Sequence, residues 1–268
     1  MYNSAVIIVG LTGGIGHGKT TFAALLDAQS RTAGHFETWE LVAEVASGLR
    51  AESPVHPAPD DLAGINRWLR PLGDIVAQYM HASVSYDAIH ITAQKVADHP
   101  KHYVKLFEYL QLIQDQPELA AVEITPELKQ IFRPLLQWLG GFMVLHVGNG
   151  VWYDEILRRI ALLQASGCDI VTIGGVRFPG DAERLRNAGG LILDINRPNL
   201  PCQDSQDITE RERALIHPDG TVINDGSLDE LQQCATLVYK DLCHRTLQTS
   251  YNADPLTSKK QPLEPAQN

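Results

Sequence analysis

The run Ala5-Val6-Ile7-Ile8-Val9-Gly10-Leu11 leads almost directly into Gly13-Gly14-Ile15-Gly16-His17-Gly18-Lys19-Thr20. A short, unbroken apolar run reads as a strand buried on both faces, the kind that sits in the middle of a parallel sheet. The segment that follows fits the pattern G-x-x-x-x-G-K-[ST]. Thr20 to Ala28 then reads as a helix. Strand, glycine-rich turn and helix within the first thirty residues constrain the chain to an α/β layered fold more tightly than any other feature.

The residue types of this turn point to an anion. Glycines let the backbone wrap closely and turn its N–H groups inward, and the following helix aims its positive end at the same place. Lys19 would reach the outer phosphates of a nucleoside triphosphate, and Thr20 would offer its hydroxyl to magnesium. The ligand set expected is therefore ATP with Mg2+. Gly13, Gly14, Ile15, Gly16, His17, Gly18, Lys19, Thr20 and Thr21 would line it. His17 reads as a spacer that turns its side chain outward. The fold class expected is a P-loop NTPase three-layer α/β fold with a parallel sheet and a helical insertion.

The charge balance narrows the ligand further. The 268 residues carry a formal net charge of −10, so broad binding to a nucleic-acid polymer, which needs a surplus of Lys and Arg, is not expected. A nucleotide needs only a few placed cations. The four cysteines, Cys168, Cys202, Cys234 and Cys243, form no C-x-x-C pair. They read as thiols of a reducing cytoplasm. No secretory signal is expected at Met1-Tyr2-Asn3-Ser4, and no apolar run is long enough for a membrane span.

Further along, Glu40 to Val45 reads equally as a second strand or a helix start. Residues 53 to 61 are proline-rich and read as a loop. Leu62 to about Gln116 looks helical, broken at Pro71, Pro100 and Pro117. Thr125-Pro126-Glu127 has the makings of a helix start, with the helix running to Leu139 and stopping at Gly140-Gly141. Val151 to Ala165 reads as a helix, Asp169 to Ile173 as a strand, Asp181 to Ala188 as a helix and Leu191 to Ile195 as a strand. Residues 196 to 220 read as a polar, mobile loop, and Thr221-Val222-Ile223 as a last strand. Ser227-Leu228-Asp229-Glu230 is a capping box for a helix to about Leu247, with a disordered tail from Thr249. The expected division is a core of 1–50 and 146–248, a helical insertion of 51–145, and a tail of 249–268.

The loop segment Ile8 to Thr21 resembles the start of a dephospho-CoA kinase. From about Leu128 to Leu231 the chain is similar to the deoxynucleoside monophosphate kinases of T-even bacteriophages and their bacterial relatives. The landmarks are Arg133-Pro134-Leu135-Leu136-Gln137-Trp138-Leu139-Gly140, Trp152, Val176-Arg177-Phe178-Pro179-Gly180-Asp181-Ala182-Glu183 and Ala188-Gly189-Gly190. They continue with Arg197-Pro198, Asp207-Ile208-Thr209-Glu210 and Val222-Ile223-Asn224-Asp225-Gly226-Ser227-Leu228-Asp229-Glu230-Leu231.

The resemblance implies phosphoryl transfer from ATP to a (deoxy)nucleoside monophosphate, chemistry that needs positioning and charge neutralisation more than a strong base. It assigns Lys19, Arg133 and Arg177 as catalytic, and places Asn224 near the adenine. Glu44, Gln137, Trp152, Arg211 and Arg213 would contact substrate, the last two from the 196–220 loop. Gly175 stands where relatives carry an acid before the arginine, and Asp207 where they carry a histidine. Asp194 superficially resembles a metal-partnering acid at a strand end. Three readings follow: a deoxynucleoside monophosphate kinase, a kinase acting on dephospho-CoA, and a nucleotide-binding regulatory protein without catalysis. A homodimer is left open.

Overall fold

The computed structural model describes residues 6–85, 100–198, 200 and 208–253. The chain divides into two compact units: Met1–Phe36 with Leu157–Asn268, and Glu37–Ile156.

The first unit holds a five-stranded all-parallel sheet. Its strands are β1 (Ile7–Thr12), β2 (Ala33–Glu37), β3 (Ile170–Gly174), β4 (Leu191–Asn196) and β5 (Gly220–Ile223). They lie in the order β2-β3-β1-β4-β5. The register sets Val9 beside Thr172 and Thr12 beside Asp194.

Alternation along the strands sorts their side chains onto two faces. On one face Val9, Leu11, Ile170, Leu193, Ile195 and Val222 pack with two helices, α1 (Lys19–Asp27) and α10 (Leu228–Ala253). These contribute Phe22 and Leu26, and Leu231, Ala235 and Leu242. On the other face lies α8 (Pro179–Asn187), so close that a Cβ on Gly10 would fall 2.7 Å from both Leu185 and Ile192. Each fully buried Leu, Ile or Phe contributes about 1.5–3 kcal/mol. The apolar runs of β1 and β3 are apolar because both faces are covered.

The second unit is helical. Its elements are α2 (Thr38–Glu52), α3 (Leu62–Leu69), α4 (Leu72–Met80), α5 (Pro100–Asp115), a short 3-10 turn (Pro117–Ala121), α6 (Arg133–His146) and the start of α7 (Val151–Ala165), in which the unit boundary falls. Leu41, Val45 and Leu49 of α2, Trp68 of α3, Leu72 of α4, Leu106 of α5 and Trp138 of α6 are buried there. Arg50 is buried among them. Its guanidinium donates to the Leu119 and Ala120 carbonyls and sits 4.6 Å from the centre of the Phe132 ring. These contacts offset its charge without an acid, and the buried Nε is left with no hydrogen-bond partner among the described residues.

One open reading is settled and four expectations are corrected. Glu40 to Val45 is helical, because Glu37 and Glu40 form a reciprocal capping box that opens α2 at Thr38. The second strand lies just before it, in Ala33–Glu37. The Thr125-Pro126-Glu127 signature makes a turn instead of a helix. Leu128 N–H bonds the Thr125 carbonyl, and the helix begins at Arg133 with Pro134 in its first turn. Gly140 and Gly141 do not stop that helix; it ends where Val147 and Gly148 both bond the Met143 carbonyl, Gly148 at φ 147°. The last helix runs to Ala253, past both Leu247 and Thr249. The 196–220 segment contains a helix, α9 (Ile208–Arg213). Asn199 and residues 201–207, with Asp207, lie outside the described residues, as do residues 254–268 of the tail.

Candidate functional site

Because the sheet is parallel, β1, β3, β4 and β5 all end on one edge, at Thr12, Gly174, Asn196 and Ile223. The chain leaves β1 for the β2 side, whereas β4 and β5 lie on the other side. A crevice at such a reversal, at the carboxyl ends of the strands, is where open α/β sheets hold ligands.

The Gly13 to Gly18 turn sits on this edge and runs into α1. Gly13 has φ 137°, and a Cβ there would lie 2.3 Å from the Ile195 carbonyl oxygen. Gly18 precedes α1 in a left-handed conformation, φ 94°, and a Cβ there would lie 2.5 Å from Asn224 Nδ2. Both positions therefore require glycine for two reasons, conformation and space. The first turn of α1 has no side-chain cap and no acid, which leaves its leading amides open to an anion.

Lys19 Nζ donates to the carbonyl oxygens of Gly13 and Gly14, both at 2.8 Å. The ammonium is thereby curled over the mouth of the turn. Thr20 and Thr21 are exposed at the helix start. The turn is tied down from outside. Asn224 donates its side-chain amide to the His17 carbonyl at 2.9 Å, and its own N–H to the Asn196 carbonyl at 2.7 Å. His17 Nδ1 lies 3.2 Å from the Ile195 carbonyl oxygen and accepts the Arg197 N–H at 3.1 Å.

Two polar groups lie beneath. Thr12 is 3% exposed, and its hydroxyl has no hydrogen-bond partner among the described residues. Beside it in register is Asp194. Burial pushes the Asp194 carboxyl above its ordinary range, against the opposing pull of Arg213, His17 and Lys19. A half-buried carboxylate so placed is a polar floor to the turn.

Arg177 follows β3 on the same edge and is half-buried. Val176 N–H bonds the Leu11 carbonyl at 3.0 Å and holds this segment along β1. Gly175, in a left-handed conformation of φ 70°, makes the bend. Arg213 is half-buried and Arg211 exposed on α9.

The remaining expected residues belong to the helical unit. Arg133 and Gln137 lie one turn apart on an exposed face of α6, with Arg133 donating to Gln130 at 3.4 Å. Glu44 is half-buried on α2. Trp152 is 6% exposed and donates its indole N–H to the Gly140 carbonyl at 3.3 Å, joining α7 to α6.

The structure thus brings the turn, Arg177, Arg213 and Asn224 to one unit and leaves Arg133, Gln137, Glu44 and Trp152 on the other. It corrects one expectation at the turn and adds one contact that the sequence does not suggest. His17 is docked on the β4 end and is no spacer. Asn224 spends its side-chain amide on the turn. Neither contact has a local sequence signal, since the partners are about two hundred residues apart (178, 180 and 207 positions). No protein-family model matches the chain, and no curated protein matches it.

Proposed function

We propose that the chain is a P-loop kinase that transfers a phosphoryl group from ATP to a deoxynucleoside monophosphate. The observation that carries the nucleotide part is the curl of Lys19 onto the Gly13 and Gly14 carbonyls, in a turn where Gly13 and Gly18 leave no room for a Cβ. An ammonium resting on loop carbonyls has only to swing from them to the outer phosphates of an incoming triphosphate. The position of the turn at the end of the central strand supports the same ligand. The acceptor part rests on the resemblance described above.

The donor set fits magnesium as well. Among the described residues no three His, Cys, Asp or Glu side chains cluster as a metal cage. The residue that would hold the ion is Thr20, whose hydroxyl is exposed at the start of α1. An ion held there would supply charge neutralisation to the phosphates.

The chain's own residues would do the rest by position. The turn amides and Lys19 hold the donor phosphates. Arg177, with its planar fork, clamps the phosphoryl group in transit. The resemblance gives Arg133 to the acceptor phosphate and Gln137 to its base, and Arg211 and Arg213 to added positive charge. The phosphate attacks as an anion, so no strong base is required of the protein.

One observation favours a second reading, a nucleotide-binding protein without catalysis. β3 ends at Gly174 and Gly175 follows it, with no carboxylate where the resembled kinases have one. A single assay separates the two. ADP release from MgATP is measured with each common dNMP, each ribose counterpart and dephospho-CoA, with Lys19→Ala as the control. Turnover with a dNMP supports the kinase. MgATP binding without turnover on any acceptor overturns it in favour of the second reading, and turnover with dephospho-CoA alone replaces the acceptor.

A further inference from the structure

His17 Nδ1 faces two groups that make opposite demands on it. A backbone N–H only donates, so the bond from Arg197 requires a lone pair on Nδ1. A carbonyl only accepts, so a bond to Ile195 requires a proton on the same atom. One nitrogen serves one partner at a time. The Arg197 N–H points at Nδ1, which places the ring in its neutral form with the proton on Nε2.

The rest of the residue cannot drift. A Cβ on Gly14 would fall 2.5 Å from Nε2, so the Nε2 edge of the ring closes against that glycine. The His17 carbonyl is held by Asn224. The imidazole is therefore wedged between the turn and the end of β4, with both candidate partners in reach and no need to move far to change between them.

We propose that His17 is a positioning residue of the turn: a two-position latch that holds the Arg197 peptide while its ring is neutral, and turns to the Ile195 carbonyl when an anion in the turn favours the imidazolium. The proposal rests on the nucleotide reading for the identity of the anion. Of the charged groups of the turn, Asp194 of β4 interacts electrostatically with His17 and with Lys19 of α1, and Arg197 follows β4. Arg213 of α9 acts on the same Asp194 carboxylate, and Asp225 follows Asn224 beyond β5. Lys19 and Arg197 oppose a further positive charge on the ring, and Asp194 favours it. A triphosphate brings several negative charges to the turn and decides the balance.

The proton comes from solvent, and no covalent bond changes. Linkage then makes the effect reciprocal: a nucleotide that promotes protonation is itself bound more tightly as pH falls. Arg197 exchanges the ring for water, which its exposed position allows. Occupancy of the turn is thus transmitted to the first peptide beyond β4.

The test has two arms. In the nucleotide-free, isotope-labelled full chain, the imidazole nitrogens and the Arg197 amide are followed by NMR from about pH 8.5 to about pH 5.5. We expect an unprotonated Nδ1 at the alkaline end and an Arg197 amide that shifts with the His17 titration. A protonated Nδ1 at alkaline pH, or an Arg197 amide indifferent to the ring, overturns the latch. In the second arm, MgATP affinity and proton uptake are measured by calorimetry at about pH 8 and about pH 6. The wild type is compared with His17→Asn, whose carboxamide oxygen can accept from Arg197 but does not titrate.

The wild type should bind roughly three- to tenfold tighter at the lower pH, with net proton uptake. One linked proton gives at most about tenfold per pH unit. His17→Asn should lose that difference, whatever its absolute affinity. An equal pH dependence in both proteins overturns the coupling. Absence of MgATP binding in both overturns the nucleotide reading and the coupling with it, and the NMR arm still decides the partner exchange by itself.

Discussion

The side-chain amide of Asn224 donates to the backbone carbonyl of His17 at 2.9 Å, tying the end of β5 to a turn at the end of β1. The same residue's N–H bonds the Asn196 carbonyl, so one side chain and one peptide fix the turn to two strand ends. Asn224→Ala should leave the sheet intact and loosen the turn. A lost neutral hydrogen bond is worth about 0.5–1.5 kcal/mol, or roughly two- to tenfold in affinity. MgATP titration of the variant should show a weakening of that size with little change in Tm. An unchanged affinity would mean that the tie plays no part in shaping the turn.

Gly13 is the least replaceable residue of the turn. At φ 137° an alanine Cβ would meet the Ile195 carbonyl oxygen at 2.3 Å, and that oxygen belongs to the sheet and cannot yield. Gly13→Ala should cost about 1–3 kcal/mol of stability in strain and displace the turn. MgATP binding should fall by about tenfold or more, read by calorimetry alongside thermal unfolding.

Asp27 offers a pH-dependent test of the fold. It lies at the end of α1, accepts from the Thr172 hydroxyl at 3.0 and 3.1 Å, and stands 4.0 Å from His35. Burial raises its carboxyl above the ordinary range, outweighing Thr172 and His35, which act to lower it. A raised folded value means that its contribution to stability is fully present below the unfolded value and is lost as pH rises through the folded one. Urea unfolding of the wild type and Asp27→Asn over that acidic window should show the wild type losing stability relative to the variant as pH rises. The opposite slope would show that Thr172 and His35 dominate over burial.

Gly140 tests the corrected course of α6. The helix runs through it, and the nearest atom to an added Cβ is Val42 Cγ2 at 4.0 Å. A glycine inside a helix costs about 0.5–1 kcal/mol relative to alanine. Gly140→Ala should therefore stabilise the chain by about that amount in denaturant unfolding. Were the helix to stop here, as Gly140-Gly141 suggests in the sequence, the same change would destabilise.

These cases show which features the sequence carries openly. β1, β3 and β4 were legible because burial on both faces leaves a plain apolar run, and the Ser227 capping box forms as its residues imply, Ser227 Oγ 2.9 Å from Glu230 Oε2. β2 was not, because Ala33-Gly34-His35-Phe36-Glu37 is short, lies at the sheet edge and is only partly buried, so it has no apolar signature. The start of α6 was misplaced because Thr125-Pro126-Glu127 and Arg133-Pro134 both satisfy the local rules for a helix start, and only packing around Phe132 and Leu135, both fully buried, selects the second. The turn's glycines were legible as a pattern, but their causes were not. The atoms that forbid a Cβ belong to Ile195 and Asn224, far along the chain. The contacts of His17 and Asp194 escape the sequence for the same reason: they depend on how β4 lies beside β1, which no local window contains.

Arg177 provides the sharpest test of the kinase reading. It stands just beyond β3, half-buried, on the edge that carries the turn. If it clamps the phosphoryl group in transit, its guanidinium matters most when charge is redistributed and little when ATP merely binds. Arg177→Ala should then lower kcat by about 100-fold or more, the scale of losing one preorganised donor, with KM for ATP changed by less than about threefold. Arg177→Lys should restore little, since an ammonium cannot reproduce the two-pronged fork. A purely structural arginine gives another pattern: a lowered Tm, ATP affinity and turnover falling together, and partial rescue by lysine. Steady-state kinetics and thermal unfolding of the two variants distinguish the patterns, and the second would remove Arg177 from the catalytic set.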